Sequence, residues 1–115
     1  MESAVKIAGA LSVESRVQIL FLLRNHPLCV GAITQRLGIT QGAVSQHLRV
    51  LKEAGLVTLE RRGQFMHYSL NRKTIQQYRE MVTELLESEN VKTCRKGEMS
   101  CPVQKKNAKS ASKKG

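Results

Sequence analysis

The sequence predicts a mainly α-helical domain with one small β-hairpin, in the element order α-α-α-α-β-β-α. Two short helical patterns lie in residues 30–56, joined by the three residues from Gly38 to Thr40. The apolar period then changes from helical spacing to two in residues 57–70, and a long amphipathic pattern closes the domain. Two helices joined by such a turn and followed by a hairpin form a winged helix-turn-helix. In this architecture the second helix of the turn enters the DNA major groove.

Two helical segments precede this motif. Residues 2–11 carry apolar side chains at helical spacing, and Ser12 is expected to cap the helix that follows. That second helix has a wide apolar surface, so we expect it to be buried over much of its circumference, and Pro27 ends it. Arg16 and Arg24 are most simply interpreted as solvated or capping cations.

The helix-turn-helix is indicated by its turn and by the polarity of its second helix. Gly38 stands where a helix ends in a left-handed residue, and Thr40 offers its hydroxyl group as the N-cap of the next helix. That helix is apolar on one side and polar on the other, and its polar side consists of Gln41, Ser45, Gln46, Arg49 and Lys52. A helical hairpin with a solvated polar face is the alternative interpretation, and the β-hairpin that follows argues against it.

The hairpin is predicted to turn at Arg62 and Gly63, with the glycine at the second turn position supplying a positive φ. Either of the two alternating sets of side chains in residues 65–70 is compatible with the buried face. The tip carries Arg61 and Arg62, followed by Gln64. Two cations at this place are expected to reach the phosphates that flank the groove.

Asn71 is expected to cap a last helix that runs to about Glu89. Its apolar stripe, together with that of the first helix, offers more surface than one small core covers. We therefore expect a homodimer held by the first and last helices. A symmetric dimer also places two recognition helices one turn of DNA apart.

The net charge of +10 is unevenly distributed along the 115 residues. Residues 1–91 carry a net charge of +3 and residues 92–115 one of +7. We expect residues 1–91 to form the DNA-binding and dimerisation domain. We expect residues 92–115 to be a basic, disordered tail, because the low-complexity segment from Pro102 onward has no apolar periodicity with which to form a core.

The composition also narrows the class of function. No apolar run reaches the length of a membrane span and no signal-peptide pattern is present, so a cytoplasmic protein without a membrane partner is expected. No catalytic constellation is recognisable, which argues against an enzyme. A pure protein-interaction module explains the long last helix, but not a polar helix face followed by an arginine-tipped hairpin.

Residues 4–90 resemble the ArsR-type (ArsR/SmtB) winged helix-turn-helix repressors of bacteria and archaea. The resemblance is densest in the segments LSVESRVQILFLL, TQGAVSQHLRVLKEAGLV and RRGQFMHYSL. It implies a homodimer that binds double-stranded operator DNA and represses an operon until an inducer, often a metal or metalloid ion, lowers that affinity. The predicted DNA-binding residues are Thr40, Gln41, Ser45, Gln46, His47, Arg49, Arg61, Arg62 and Gln64.

The inducer site departs from the best-known patterns of that family. The arsenic-sensing pattern has a second cysteine where Gly31 stands here, and Cys29 alone does not provide three thiolates. The zinc-sensing pattern requires Asp and His pairs on the last helix of each partner, and residues 71–91 contain no histidine. The sequence therefore leaves Cys94 and Cys101 as the principal candidate ligands.

Thiolates are soft donors suited to arsenite, Cd, Zn or Cu ions. The six residues between Cys94 and Cys101 include Gly97, so the chain is able to fold back and bring both sulfurs to one ion, with Cys29 as a candidate third ligand. The same two thiols are equally able to close a disulfide in a redox switch, or to have no sensing role. An odd number of cysteines without an export signal argues against a structural disulfide framework.

Overall fold

The computed structural model describes residues 2–87 and consists there of five helices and three strands. The elements are α1 Glu2–Ala10, α2 Glu14–Leu23, β1 Leu28–Cys29, α3 Val30–Leu37, α4 Gln41–Glu53, β2 Val57–Arg62, β3 Phe65–Leu70 and α5 Arg72–Leu86. This order confirms the predicted mainly α-helical, winged helix-turn-helix fold, with one short strand added. The predicted basic tail, with Cys94 and Cys101, lies outside the described residues. Within residues 2–87, no helix has the length and apolar character needed to cross a membrane.

The strands form one antiparallel sheet in the order β1-β3-β2. The unpredicted strand β1 pairs Leu28 with Tyr68 and Cys29 with His67 of β3. Two residues are too few to show an alternating pattern, and their partners lie about forty positions further along the chain. This strand therefore ties the start of the helix-turn-helix to the hairpin.

The hairpin turn lies one residue later than predicted. Arg62 is the last residue of β2 and pairs with Phe65, so the two loop residues are Gly63 and Gln64. Gly63 has a φ of 65° and occupies the first loop position, not the second. A positive φ at the first position alone is the type II′ arrangement, which also suits the twist of a two-residue hairpin.

The register also selects one of the two alternating faces of the hairpin. Leu59 lies opposite Tyr68, and the buried Val57 lies opposite Leu70. Met66, Tyr68 and Leu70 therefore share the face of the buried strand residue, while His67 and Ser69 lie on the other face.

The hydrophobic core is formed mainly by α1 to α4, by β1 and by the start of β2. Its buried members are Ile7, Ala10, Ile19, Leu23, Leu28, Ile33, Val44, Leu48, Leu51, Leu56 and Val57. The last helix, α5, contributes no buried residue. Within one protomer, the apolar side chains of the helix-turn-helix are therefore buried in the core, whereas the apolar stripe of α5 remains partly exposed.

The predicted residues end α3 and cap the starts of α4 and α5. The Thr40 hydroxyl oxygen accepts a bond from the backbone N–H of Ala43 at 3.1 Å, which caps α4. The Asn71 side-chain oxygen accepts from the N–H of Thr74 at 3.4 Å, which caps α5. Gly38, with a φ of 73°, ends α3 in the left-handed conformation.

The predicted cap at Ser12 is wrong. Helix α2 begins at Glu14 without a side-chain cap, and Val13 is its N-cap residue. The Ser12 hydroxyl group instead donates to the Gly9 carbonyl oxygen at 2.6 Å. This serine therefore closes the end of α1 and does not open α2.

Helix α2 is covered over much of its circumference, as expected, since seven of its ten residues are buried or half-buried. Only Ile19 and Leu23 of this helix are buried, while Phe21 is 57% exposed. Its wide apolar surface is therefore divided between the core and an open face.

Candidate nucleic-acid interface

Helix α4 is fixed to the domain by one buried stripe and presents the rest of its surface outward. Val44, Leu48 and Leu51 are fully covered, and α4 packs against α2, α3 and β2. The exposed residues of the remaining surface are Gln41, Gly42, Ser45, Gln46, Arg49, Lys52 and Glu53. Most of the predicted DNA-binding residues on this helix therefore share one accessible polar side.

The start of α4 offers hydrogen-bond donors. Thr40 and Gln41 are exposed, and the capping oxygen of Thr40 leaves the hydroxyl proton able to donate to another acceptor. The free backbone N–H groups and the dipole of a helix N-terminus favour anions such as phosphate. This end of α4 is therefore suited to approach the DNA backbone.

Arg49 is accessible although it has an acidic neighbour. Its Nε lies 3.8 Å from a carboxylate oxygen of Glu53, and about 70% of each side chain is exposed. An ion pair so exposed contributes about 0–1 kcal/mol, because water screens it. Arg49 is therefore able to exchange this partner for an acceptor on DNA.

His47 is placed differently from the other predicted residues of α4. Two residues after Ser45 on a helix, it points about 200° away from that side chain. It is half-buried on the flank facing α2, where its Nδ1 accepts a hydrogen bond from the Nε of Arg16 at 3.4 Å. His47 therefore points away from Ser45 and lies at the flank of α4, where it borders one surface cavity together with Gln46 and Arg49.

Arg16 is the polar contact residue that the sequence analysis missed. It is half-buried and donates to carbonyl oxygens at the end of α1, which agrees with a capping cation, but it also donates to a side chain of α4, which was not expected. Its partner lies 31 residues further along the chain. Local sequence patterns do not predict a contact between residues so far apart in the sequence.

The β2–β3 hairpin, which is the wing of this fold, carries its two cations on opposite faces. Arg61 and Arg62 are consecutive residues of β2, so their side chains alternate across the strand. Arg62 lies 3.6 Å from a carboxylate oxygen of Glu60, and about half of each of these side chains is exposed. Gln64 is exposed in the loop. The tip therefore presents polar and cationic groups to both sides.

The predicted third metal ligand lies at the junction of β1 and α3. Cys29 is half-buried and lies beside His67 in the sheet, whose Nδ1 is buried and has no hydrogen-bond partner among the described residues. A Cβ atom added at Gly31 would lie 3.9 Å from the Cys29 sulfur. Residues 2–87 contain no group of three or more metal-ligating side chains close enough to hold an ion.

An apolar surface lies away from the polar side of α4. A cleft of about 350 Å³ runs between α2 and α5 and is lined by residues that include Leu20, Phe21, Ile75 and Tyr78. At the end of α5, Leu85 and Leu86 are 73% and 75% exposed. Large apolar side chains exposed next to an apolar cleft are typical of an interaction site.

A family model and several curated relatives match the chain. The model of the arsR family of bacterial regulatory proteins matches residues 14–58, which run from the start of α2 into β2. The transcriptional repressor SdpR of Bacillus subtilis is 37% identical over 67 residues, which cover 58% of this chain and 74% of SdpR.

Many solved structures share the fold, and two of them illustrate the similarity. The crystal structure of a possible transcriptional regulator for arsenical resistance is 31% identical, with a TM-score of 0.63, and the match covers 73% of this chain and 86% of that one. A homodimeric winged helix-turn-helix DNA-binding domain of Mycobacterium bovis, studied by NMR, is 26% identical, with a TM-score of 0.62, over 79% of this chain and 89% of that one.

Proposed function

Because this chain belongs to the ArsR family of bacterial regulatory proteins, we propose that it represses transcription by binding double-stranded operator DNA as a homodimer. The family and the relatives are DNA-binding transcription regulators, and the chain is one of them and not an enzyme. The observation that carries the proposal is the exposed polar side of α4, backed by a buried stripe and flanked by a cationic hairpin.

In this proposal α4 lies in the major groove. Gln46 and Arg49 read base edges, because an amide pairs with adenine and a guanidinium with guanine in two-bond geometries. Gln41 and Ser45 share the same accessible side and add donors and acceptors. Thr40 and the N–H groups at the start of α4 hold the adjacent phosphates.

The wing contributes contacts without sequence information. Arg61 and Arg62 approach phosphates beside the groove, and Gln64 adds an amide at the loop. Since the two arginines lie on opposite faces of β2, we expect one of them to contribute more than the other. To contact a phosphate, Arg62 must break its exposed ion pair with Glu60, which costs little free energy because water screens the pair.

The second copy of the chain is proposed to cover the apolar surface of α1, α2 and α5. α5 has no buried residue in one protomer; Leu85 and Leu86 of its apolar stripe are exposed, as is Phe21 of α2. The relative from M. bovis is described as a homodimer. A two-fold dimer presents two copies of α4 to two half-sites.

The inducer is proposed to be a thiophilic metal or metalloid ion bound by Cys94 and Cys101, with Cys29 as a candidate third ligand. One relative is named for arsenical resistance, which supports an ion of this chemical class. Soft thiolates suit arsenite, Cd, Zn or Cu ions. The alternatives remain a disulfide that forms between the same cysteines and a repressor that does not respond to metal.

The experiment that tests DNA recognition is a selection of duplexes from a random-sequence pool by the purified full-length chain. We expect an inverted repeat to be enriched, with half-site centres about 10–10.5 base pairs apart or at a multiple of that distance. On the selected duplex, Gln46→Ala and Arg49→Ala should each weaken binding by roughly 1–3 kcal/mol. Lys73→Ala, an exposed change on α5, is the matched control. A pool without an enriched motif would refute the proposal.

A further inference from the structure

The guanidinium group of Arg16 joins α1, α2 and α4. Its Nε donates to the Nδ1 of His47 at 3.4 Å, and its Nη1 donates to the carbonyl oxygens of Gly9 at 3.4 Å and Ala10 at 3.5 Å. The bonds to His47 and Ala10 are partly buried. Arg16 therefore connects the carbonyl end of α1 to a side chain of the recognition helix.

The position of Arg16 is favourable for a cation. The C-terminal end of a helix carries a partial negative charge, and the guanidinium lies against this end of α1. Arg16 and His47 also border a surface cavity of about 290 Å³ on the side of α4 that carries Gln46 and Arg49. The arginine is thus held from α1 while its other edge contacts α4.

The bond from Arg16 decides which nitrogen of His47 carries the proton. A nitrogen that accepts a hydrogen bond has no proton, so in the neutral imidazole the proton is on Nε2. No described residue bonds to this Nε2, and it is not among the buried unpaired atoms of residues 2–87. Solvent, or a ligand in its place, therefore has access to an N–H donor there.

We propose that Arg16 is a positioning residue for DNA recognition. It holds His47 in the tautomer whose Nε2–H donates to a hydrogen-bond acceptor of DNA at the border of the polar cavity. The acceptor is a phosphate oxygen or the edge of a base. This inference rests on the proposed function, in which α4 faces DNA, and adds a role for a residue of α2.

A double-mutant cycle on the selected duplex tests the inference. Arg16→Ala and His47→Ala should each weaken binding about three- to tenfold, which corresponds to the loss of one hydrogen bond. The double variant should bind no more weakly than His47→Ala, because Arg16 acts through His47. Gln18→Ala, an exposed change on α2, should leave binding unchanged. Losses that multiply in the double variant would overturn the inference.

Two conservative variants identify the donor. Glutamine places its amide nitrogen close to the position of Nε2, so His47→Gln should bind like the wild type. Asparagine places its amide close to Nδ1, so His47→Asn should bind like His47→Ala. If the loss in His47→Ala is equal on every duplex, the acceptor is a phosphate oxygen. If it is confined to one base pair, the acceptor is a base edge.

The tautomer is measured directly on the unmodified full-length chain. Nitrogen NMR of His47 at about pH 8 should place the proton on Nε2, and Arg16→Ala should shift the ring toward a mixture of tautomers. A proton on Nδ1 in the wild type would overturn the inference even if Arg16→Ala does not fold. If His47→Ala binds normally while Arg49→Ala does not, the inference fails alone. If neither variant weakens binding, the proposed function fails with it.

Discussion

At the scale of the residue, Gly38 and Gly42 show how backbone conformation decides the effect of the same substitution, glycine to alanine, at two positions. Gly38 has a φ of 73°, whereas Gly42 lies within α4, and an added Cβ has open space at both positions. Gly38→Ala should lower the free energy of unfolding by about 1–2 kcal/mol, because alanine is strained at a positive φ. Gly42→Ala should raise it by up to about 1 kcal/mol. Denaturant unfolding at a fixed protein concentration measures both, and equal effects would contradict the assigned conformations.

The wing arginines provide a second test at this scale. Arg62→Ala should weaken binding to all duplexes alike, because a phosphate contact carries no sequence information. The slope of the logarithm of affinity against the logarithm of salt concentration should fall by about one unit. Arg61→Ala, on the opposite face of β2, and Lys73→Ala on α5 are the comparison variants. A slope unchanged in both Arg61→Ala and Arg62→Ala would remove the wing from the interface.

Single residues were predictable where their partners are close in sequence. Thr40 and Asn71 accept hydrogen bonds from N–H groups three positions away. The left-handed conformation of Gly38 was predictable because a residue without a Cβ adopts a positive φ at little cost. The bond from Arg16 to His47 was not predictable, because the two residues belong to different helices and lie 31 positions apart. The flank position of His47 likewise depends on how α2 and α4 pack, which the resemblance to a family did not specify.

At the scale of the element, the start of α4 depends on one cap. Thr40→Ala should lower the free energy of unfolding by about 1 kcal/mol, because the N–H of Ala43 loses its acceptor. Thr40→Ser keeps the hydroxyl oxygen and should retain most of the stability. Denaturant unfolding of the two variants compares them, and an equal loss in both would show that the methyl group and not the cap is responsible.

Helix α5 provides the corresponding test for the dimer. Leu85→Asp should put a charge into the seam between the two copies, which is costly for an unpaired carboxylate. Sedimentation should then show a monomer with weakened operator binding. Thr83→Asp adds the same charge at an exposed position off the apolar stripe and should leave the dimer intact. A Leu85→Asp variant that remains a dimer would place the interface elsewhere.

The elements themselves were predictable to the extent that their signals are local. The helical periods indicated four helices before the hairpin and one after it, and all five are present. Strand β1 was missed because only its pairing with β3 makes it a strand. The turn was displaced by one residue because the cross-strand register, and not the glycine alone, sets the loop.

At the scale of the whole molecule, the prediction concerns the switch. Cys101→Ser should bind operator DNA normally without inducer, because this change lies outside α4 and the wing. It should not release DNA when arsenite or Cd is added, since one remaining tail thiolate does not chelate the ion. Fluorescence anisotropy of a labelled duplex follows the release. Ion binding changes the affinity for DNA only if the ion binds one conformation of the dimer more tightly than the other.

Further cysteine variants separate the alternatives. Loss of the response in Cys29→Ser would support a site with three sulfurs, whereas a retained response would leave the two tail thiols acting alone. Release by an oxidant but not by ions would favour the disulfide. A variant lacking both Cys94 and Cys101 that still responds fully would contradict a sensor built from the two tail thiols.

The central claim is that α4 reads base edges, and one measurement tests it most directly. Each base pair of the selected duplex is changed in turn, and the binding free energy is measured for the wild type and for Arg49→Ala. The wild type should lose roughly 1–3 kcal/mol at the base pair that Arg49 contacts, and Arg49→Ala should no longer distinguish bases there. An Arg49→Ala variant that discriminates like the wild type at every position would contradict the assignment of α4 as the recognition helix.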